Sequence, residues 1–283
     1  MSNDLSLKDR LLLAALKVSP RRALTRAVGE AAGWTRPAPL ARLAVKAFAR
    51  RYALELGEAE LPLGGYPSVR ALFTRRLRPG ARPLAGGDET AIVPADGRVY
   101  EAGETREGKL VQAKGRTYDL AALLADGPLA KRLIGGPYAA VYLSPHDYHR
   151  VHFPLGGQVE GAALVAGDLW PVNPASVATV PELFARNERL VVSLSTPVGP
   201  CAIVMVGATV VGGLRASFDP ELWGRAGTRR YAPALPAERG GELGHFDLGS
   251  TVIVCFPPGV LRLAPSIRAG ARVRVGEPLA GPA

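Results

Sequence analysis

The chain has 283 residues, 47% hydrophobic and 21% charged, enough apolar material for one large domain with an appendage and too regular a mixture for wholesale disorder. Its formal net charge is +10, and residues 1–56 hold eleven Lys or Arg against four Asp or Glu, so +7 of that excess lies in the amino-terminal fifth. Two cysteines are too few for a disulfide framework, and no apolar run reaches the ~18–20 residues of a spanning helix.

Ser6 with Asp9 three residues on forms a capping box, and Leu7, Leu11, Ala14 and Val18 then fall on one helical stripe. Pro20 ends that helix, because proline disfavours helix at the residue before it. Asp4 and Asp9 spoil a signal-peptide n-region, and no cleavage pattern follows. A second helix is expected over 38–56, with Val45, Phe48, Tyr52 and Leu56 on its apolar stripe and Arg42, Lys46 and Arg50 beside it. Such basic, apolar helices fit an anionic surface, a membrane or a nucleic acid, and equally fit ordinary packing with solvated charges.

A shorter helix is expected over 68–77. After "RPGARP" the texture changes to short β-like runs separated by Gly and Pro turns, among them "AIVPADGRVYEAG", "YAAVYLSP" and "STVIVCFPPG". Helices at "LAALLA" from Leu120 and near "VPELFARN" interrupt them. The pattern predicts an α+β fold, with amino-terminal amphipathic helices over 1–60 followed by a mainly antiparallel, β-rich catalytic core over 61–283. Cys201 and Cys255 lie in apolar runs and read as buried, reduced thiols, consistent with a cytosolic setting.

Three of the four histidines, His146, His149 and His152, stand in "SPHDYHRVHFP", and the fourth, His245, stands in "GHFDLGSTVIVCF". Zinc needs at least three converging ligands. The flanks of the cluster read as strand or turn, where three-residue steps alternate faces, so metal binding is not the expectation. A polar turn without chemistry is one remaining reading. The other is acid–base catalysis, in which Asp96 of "PADGRV" orients a histidine that takes the proton of a serine hydroxyl. The order Asp96, histidine, Ser250 also fits a serine hydrolase, although no G-x-S-x-G elbow surrounds Ser250. The charge alone also fits a nucleic-acid binder, without any recognised motif or stacking platform for it.

Taken together and in order, "PADGRV", "YLSPHDYHRVHFP", "LWPVNP", "LFARNERL", "VGATVVGG" and "GHFDLGSTVIVCFP" resemble the phosphatidylserine decarboxylase proenzymes of the longer, membrane-associated bacterial type. "ALFTRRLRPGARPL" and "KGRTYDLAALL" are similar to family segments as well. The resemblance covers roughly residues 50–280.

It implies autocatalytic cleavage between Gly249 and Ser250, giving a β chain 1–249 and an α chain 250–283. Ser250 becomes a covalent pyruvoyl cofactor, and phosphatidylserine is decarboxylated to phosphatidylethanolamine through a Schiff base to it. His152 is the implied base for cleavage, with Asp96 orienting it, and His149 the implied acid in decarboxylation. No metal and no nucleic acid enter this chemistry. The implied partners are phosphatidylserine in an anionic membrane surface and a second copy in a homodimer. The implied location is peripheral, at the cytoplasmic face of the bacterial membrane. His146 stands where the family is more variable, and neither it nor His245 receives a role.

Overall fold

A computed structural model describes residues 20–113, 116–209, 213–222, 226–247 and 250–283. The helix expected from Ser6 therefore lies outside the described residues. Pro20 serves as the N-cap of a helix over Arg21–Ala32 that the sequence reading did not anticipate. Proline's fixed φ suits the start of a helix, so the residue read as a terminator also opens the next element.

The second helix runs over Ala38–Arg51, shorter than the expected 38–56. Ala53 takes a left-handed φ of 47°. Its N–H bonds the Arg50 carbonyl, while that of Leu54 reaches back to Ala49. This pairing closes a helix wherever the chain turns left-handed, here with alanine in glycine's usual place. Val45 is buried and Phe48 packs inward, so the anticipated apolar stripe faces the protein. A short helix over Val69–Phe73 lies beneath both arm helices, its Ser68 side chain accepting from the Ala71 N–H.

The body is built on an eight-stranded sheet in the order 227–237, 157–165, 189–196, 199–206, 250–255, 137–143, 97–104 and 272–273. Every pairing within it is antiparallel. "YAAVYL" and "TVIVC" are nearly continuous apolar runs because their strands are buried on both faces. Val252, Ile253 and Val254 are at most 1% exposed, and burial of each such side chain contributes ~1.5–3 kcal/mol. Short helices over Leu120–Leu124 and Leu183–Arg186 match expectation, while those over Gly127–Leu133 and Pro174–Thr179 were not anticipated. Both of the latter carry a capping side chain, Asp126 or Asn173, and a proline in the first turn.

Two small sheets position the chemistry. One orders 214–216, 242–246 and 150–152, and the other 91–92, 278–282 and 261–263. The α+β architecture, with helices first and an antiparallel core after, is the one expected.

Candidate active site

The histidine segment leaves the large sheet at Leu143, turns through 144–149, and enters the small sheet as Arg150–His152. The turn is held by Asp147, whose carboxylate accepts the Ser144 N–H at 2.7 Å. Strand 242–246 pairs against Arg150–His152, with His245 opposite Arg150 and Glu242 opposite His152. The other neighbour of that strand is 214–216, and a Cβ on Gly244 would lie 2.1 Å from the Arg215 carbonyl oxygen. The glycine of "GHFD" is thus required by close approach of the neighbouring backbone.

His149 is fully buried, and its Nδ1 donates to the Asp147 carbonyl at 2.9 Å. That bond fixes the tautomer and leaves the lone pair on Nε2, which has no partner among the described residues. Burial pushes its pKa down to about 3, opposed by the Asp147 carbonyl and reinforced by the Arg75 and His146 charges. The Leu143 carbonyl also acts on the ring, and Leu143 is the register partner of Ser250. A neutral imidazole with one free nitrogen therefore lies beside the strand pair that carries Ser250.

His152 is partly buried. Its Nδ1 donates to the Gly240 carbonyl at 2.7 Å, and the Tyr148 hydroxyl donates to Nε2 at 3.1 Å. Burial lowers its pKa, while the Gly240 carbonyl and the Glu242 and Asp96 charges pull the other way. It is neutral at pH 7, the state in which a base can take a proton.

Asp96 sits in the turn before strand 97–104, and a Cβ on Gly97 would lie 2.2 Å from the Tyr142 carbonyl oxygen. Arg82 grips both carboxylate oxygens, and the Val275 N–H donates to Oδ1 at 2.8 Å. The His152 N–H donates to the Pro94 carbonyl at 2.8 Å, which brings the two expected partners into one neighbourhood. Asp96 acts on His152 through its charge, while hydrogen bonds to the imidazole come from Gly240 and Tyr148.

Ser250 opens strand Ser250–Cys255, with Leu143 as its partner, and Gly249 lies outside the described residues. Just upstream, the Asp247 N–H donates to the Gly213 carbonyl, and its carboxylate lies 3.6 Å from the Arg215 guanidinium. The chain thus leaves the small sheet at Phe246 and joins the large sheet at Ser250.

The two unassigned histidines each lie beside charged side chains. His146 accepts from Arg272 at 2.8 Å at the rim of the turn. His245 lies 3.6 Å from Glu242 and 4.0 Å from Asp247. Among the described residues no group of three His, Cys, Asp or Glu side chains converges as a metal site.

Several residues that sequence reasoning missed surround the site. Arg75, Arg82, Asp147, Tyr148 and Arg272 line a cavity of about 230 Å³ together with the expected Asp96. Asp147 is buried, which raises its pKa despite the Ser144 N–H and its His146 and Arg272 neighbours. The available signal was position: Asp147 is inside "HDYHRVH", and Arg82 is inside "RPGARP".

Comparison with known proteins bears on all of this. The family model described as "Phosphatidylserine decarboxylase" matches residues 69–281. A phosphatidylserine decarboxylase proenzyme of Anaeromyxobacter sp. (strain K) is 53% identical, over 98% of this chain and all of that protein. Those of Myxococcus xanthus (strain DK1622) and Bordetella avium (strain 197N) are 43% and 42% identical, each over at least 96% of both chains.

Proposed function

The chain belongs to the phosphatidylserine decarboxylase family, and from that premise we propose that it cuts its own backbone between Gly249 and Ser250 and uses the resulting pyruvoyl group to decarboxylate phosphatidylserine. The observation that carries the reading is the pair of neutral histidines on one short segment, His149 with a free Nε2 and His152 with both nitrogens engaged.

In maturation the Ser250 hydroxyl attacks the Gly249 carbonyl and passes its proton to His152. The peptide C–N bond breaks as that nitrogen takes a proton, so the amide becomes an ester. Loss of the Ser250 α-proton then expels the ester oxygen. The β chain leaves with a carboxylate at Gly249, and a dehydroalanine remains at the head of the α chain. Tautomerisation and addition of water release ammonia. A hydroxyl is a weak nucleophile, so a neutral base within reach is the essential partner. The Tyr148 hydroxyl donates to the nitrogen that would receive the proton, so it must release that lone pair as Ser250 attacks.

The pyruvoyl carbonyl supplies the electron sink that loss of carbon dioxide requires. The residues present fit such a group: His149 Nε2 is an orphaned buried acceptor, and its ring lies against the backbone of Leu143, the register partner of Ser250. Because His149 starts neutral, its Nε2 can take a proton from the serine ammonium as the amine enters. The same atom then returns a proton to the α-carbon after carbon dioxide departs. Its Nδ1–H stays on the Asp147 carbonyl throughout, so the tautomer is preserved.

The substrate lies in a bilayer, and the arm has the surface to reach one. Leu24, Trp34, Leu40 and Leu43 are 40%, 48%, 50% and 62% exposed, among the exposed cations Arg22, Arg26, Arg42 and Lys46. No described helix is long and apolar enough to cross a membrane. These helices would instead lie in the interface, each Lys or Arg near anionic lipid contributing ~1 kcal/mol.

Separating the two histidines tests the proposal. His149→Ala should yield two chains but decarboxylate ~10²–10⁴-fold more slowly, the usual contribution of a positioned acid or base. His152→Ala should remain full length. Equal maturation of both variants, read by denaturing electrophoresis, would show that the roles are wrongly divided.

A further inference from the structure

Three consecutive residues at the end of helix Val69–Phe73 each touch the segment that bears the histidines. The Phe73 ring lies against His149, with centroids 3.8 Å apart and planes inclined by 40°. The Thr74 carbonyl accepts from Arg150 Nη2 at 2.8 Å and Nε at 3.1 Å. Arg75 Nη2 donates to the His146 and Asp147 carbonyls at 3.1 and 3.2 Å. Arg150 in turn grips both Glu242 oxygens at 2.7 Å, joining this clamp to strand 242–246.

The same helix is bound to the arm on its other side. Phe73 meets Phe48 edge-on at 6.0 Å, and Phe48 meets Tyr52 at 4.7 Å. Ala32 and Val28 pack on Phe73, and the Arg70 guanidinium donates to the Gly29 carbonyl. An aromatic series thus runs from the second arm helix to the imidazole of His149.

The imidazole is located by the Asp147 and Leu143 carbonyls and by the Phe73 ring. The Asp147 carbonyl holds the Nδ1 edge, and Arg75 holds that carbonyl in place. Phe73 covers a face, which limits rotation of the ring and keeps water from it. Only Nε2 is left without a partner. We propose that Phe73 is a positioning residue for His149, holding its free nitrogen toward the reacting carbon and transmitting the seating of the arm to the catalytic segment. The inference rests on the reading of His149 as the proton carrier in decarboxylation. His152 lies outside the Phe73 contact, since its ring is held by Tyr148 and Gly240. Maturation is therefore expected to be independent of Phe73.

Phe73→Met, which keeps bulk without a ring face, and Phe73→Tyr, which keeps the ring, test this in the mature protein. The titratable groups acting on His149 are Arg75 and His146, with the Asp147 and Leu143 carbonyls, and all are left intact. Phe73→Met is expected to mature fully and to lose ~10–100-fold in kcat, the scale of a small misplacement, with little change in KM. Nitrogen NMR of the histidines should show the His149 midpoint rising by about one pH unit or more as water reaches the ring. Phe73→Tyr should restore both. An unchanged kcat and His149 titration in Phe73→Met would overturn the proposal. So would a maturation failure matching that of His152→Ala. If His149→Ala itself left decarboxylation unaltered, the assignment of His149 would fall, while its titration in Phe73→Met would still report on positioning.

Discussion

At the scale of single residues the site is governed by whether the Nε2 of each histidine is free. His149 and His152 are three residues apart, yet a carbonyl holds Nδ1 in both, and their hydrogen bonding differs at Nε2. His149 also makes stability depend on pH. Its folded pKa is pushed down to about 3 from an ordinary value of 6.5. Between those values the unfolded chain takes up a proton that the folded chain refuses. The contribution is therefore fully present above pH ~6.5 and is lost as pH falls toward 3, up to about 2 kcal/mol by pH 5. Urea unfolding of the uncut Ser250→Ala chain should show a lower midpoint at pH 5 than at pH 7. The drop should be smaller when His149→Gln is added, and an equal drop in both would contradict it. The histidines, Asp96 and Ser250 were legible because their short motifs carry the resemblance. Phe73, Arg75 and Arg82 were not, because they act through tertiary contacts: Arg82 reaches Asp96 across a turn, and Phe73 reaches His149 from another element.

At the scale of elements the arm shows what periodicity can and cannot settle. Its spacing defined an apolar stripe through Val45 and Phe48, and that stripe exists, but it packs on Leu72 and Phe73. On the helix over Ala38–Arg51 the large apolar side chains left to solvent are Leu40 and Leu43, which periodicity did not single out. A helix between protein and lipid carries two apolar faces, and only the tertiary structure says which is which. Leu40→Glu with Leu43→Glu should weaken binding to phosphatidylserine vesicles by about tenfold or more, since ~1.4 kcal/mol is a factor of ten. Vesicle sedimentation across a salt series measures this, and the unaltered protein should release as salt rises. Binding unchanged by the double substitution would remove these leucines from the interface. Strands were readable as short apolar runs between turns. The missed helices over Gly127–Leu133 and Pro174–Thr179 are only two turns or less and declare themselves mainly through their caps.

For the whole molecule, the proposed cut falls where the chain passes from one sheet to another. Residues 242–246 stay hydrogen-bonded between 214–216 and 150–152. On the other side, 250–255 lies between 199–206 and 137–143 in the large sheet. The rest of 250–283 also returns to the body, pairing 272–273 with 97–98 and 278–280 with 91–92. Even the Asp96 carboxylate, upstream of the proposed cut, holds the Val275 N–H downstream of it. A break between Gly249 and Ser250 would thus leave two chains in one fold, the reactive end anchored by a central strand. The direct measurement is intact mass of the purified protein under denaturing conditions, with and without a carbonyl-reactive hydrazine. The expected result is two chains, 1–249 and 250–283, the smaller lighter by one ammonia than a serine-ended peptide and shifted by the reagent, with Ser250→Ala a single full-length chain. A decarboxylating protein of one unbroken chain, or a smaller chain ending in unmodified serine, would contradict the account.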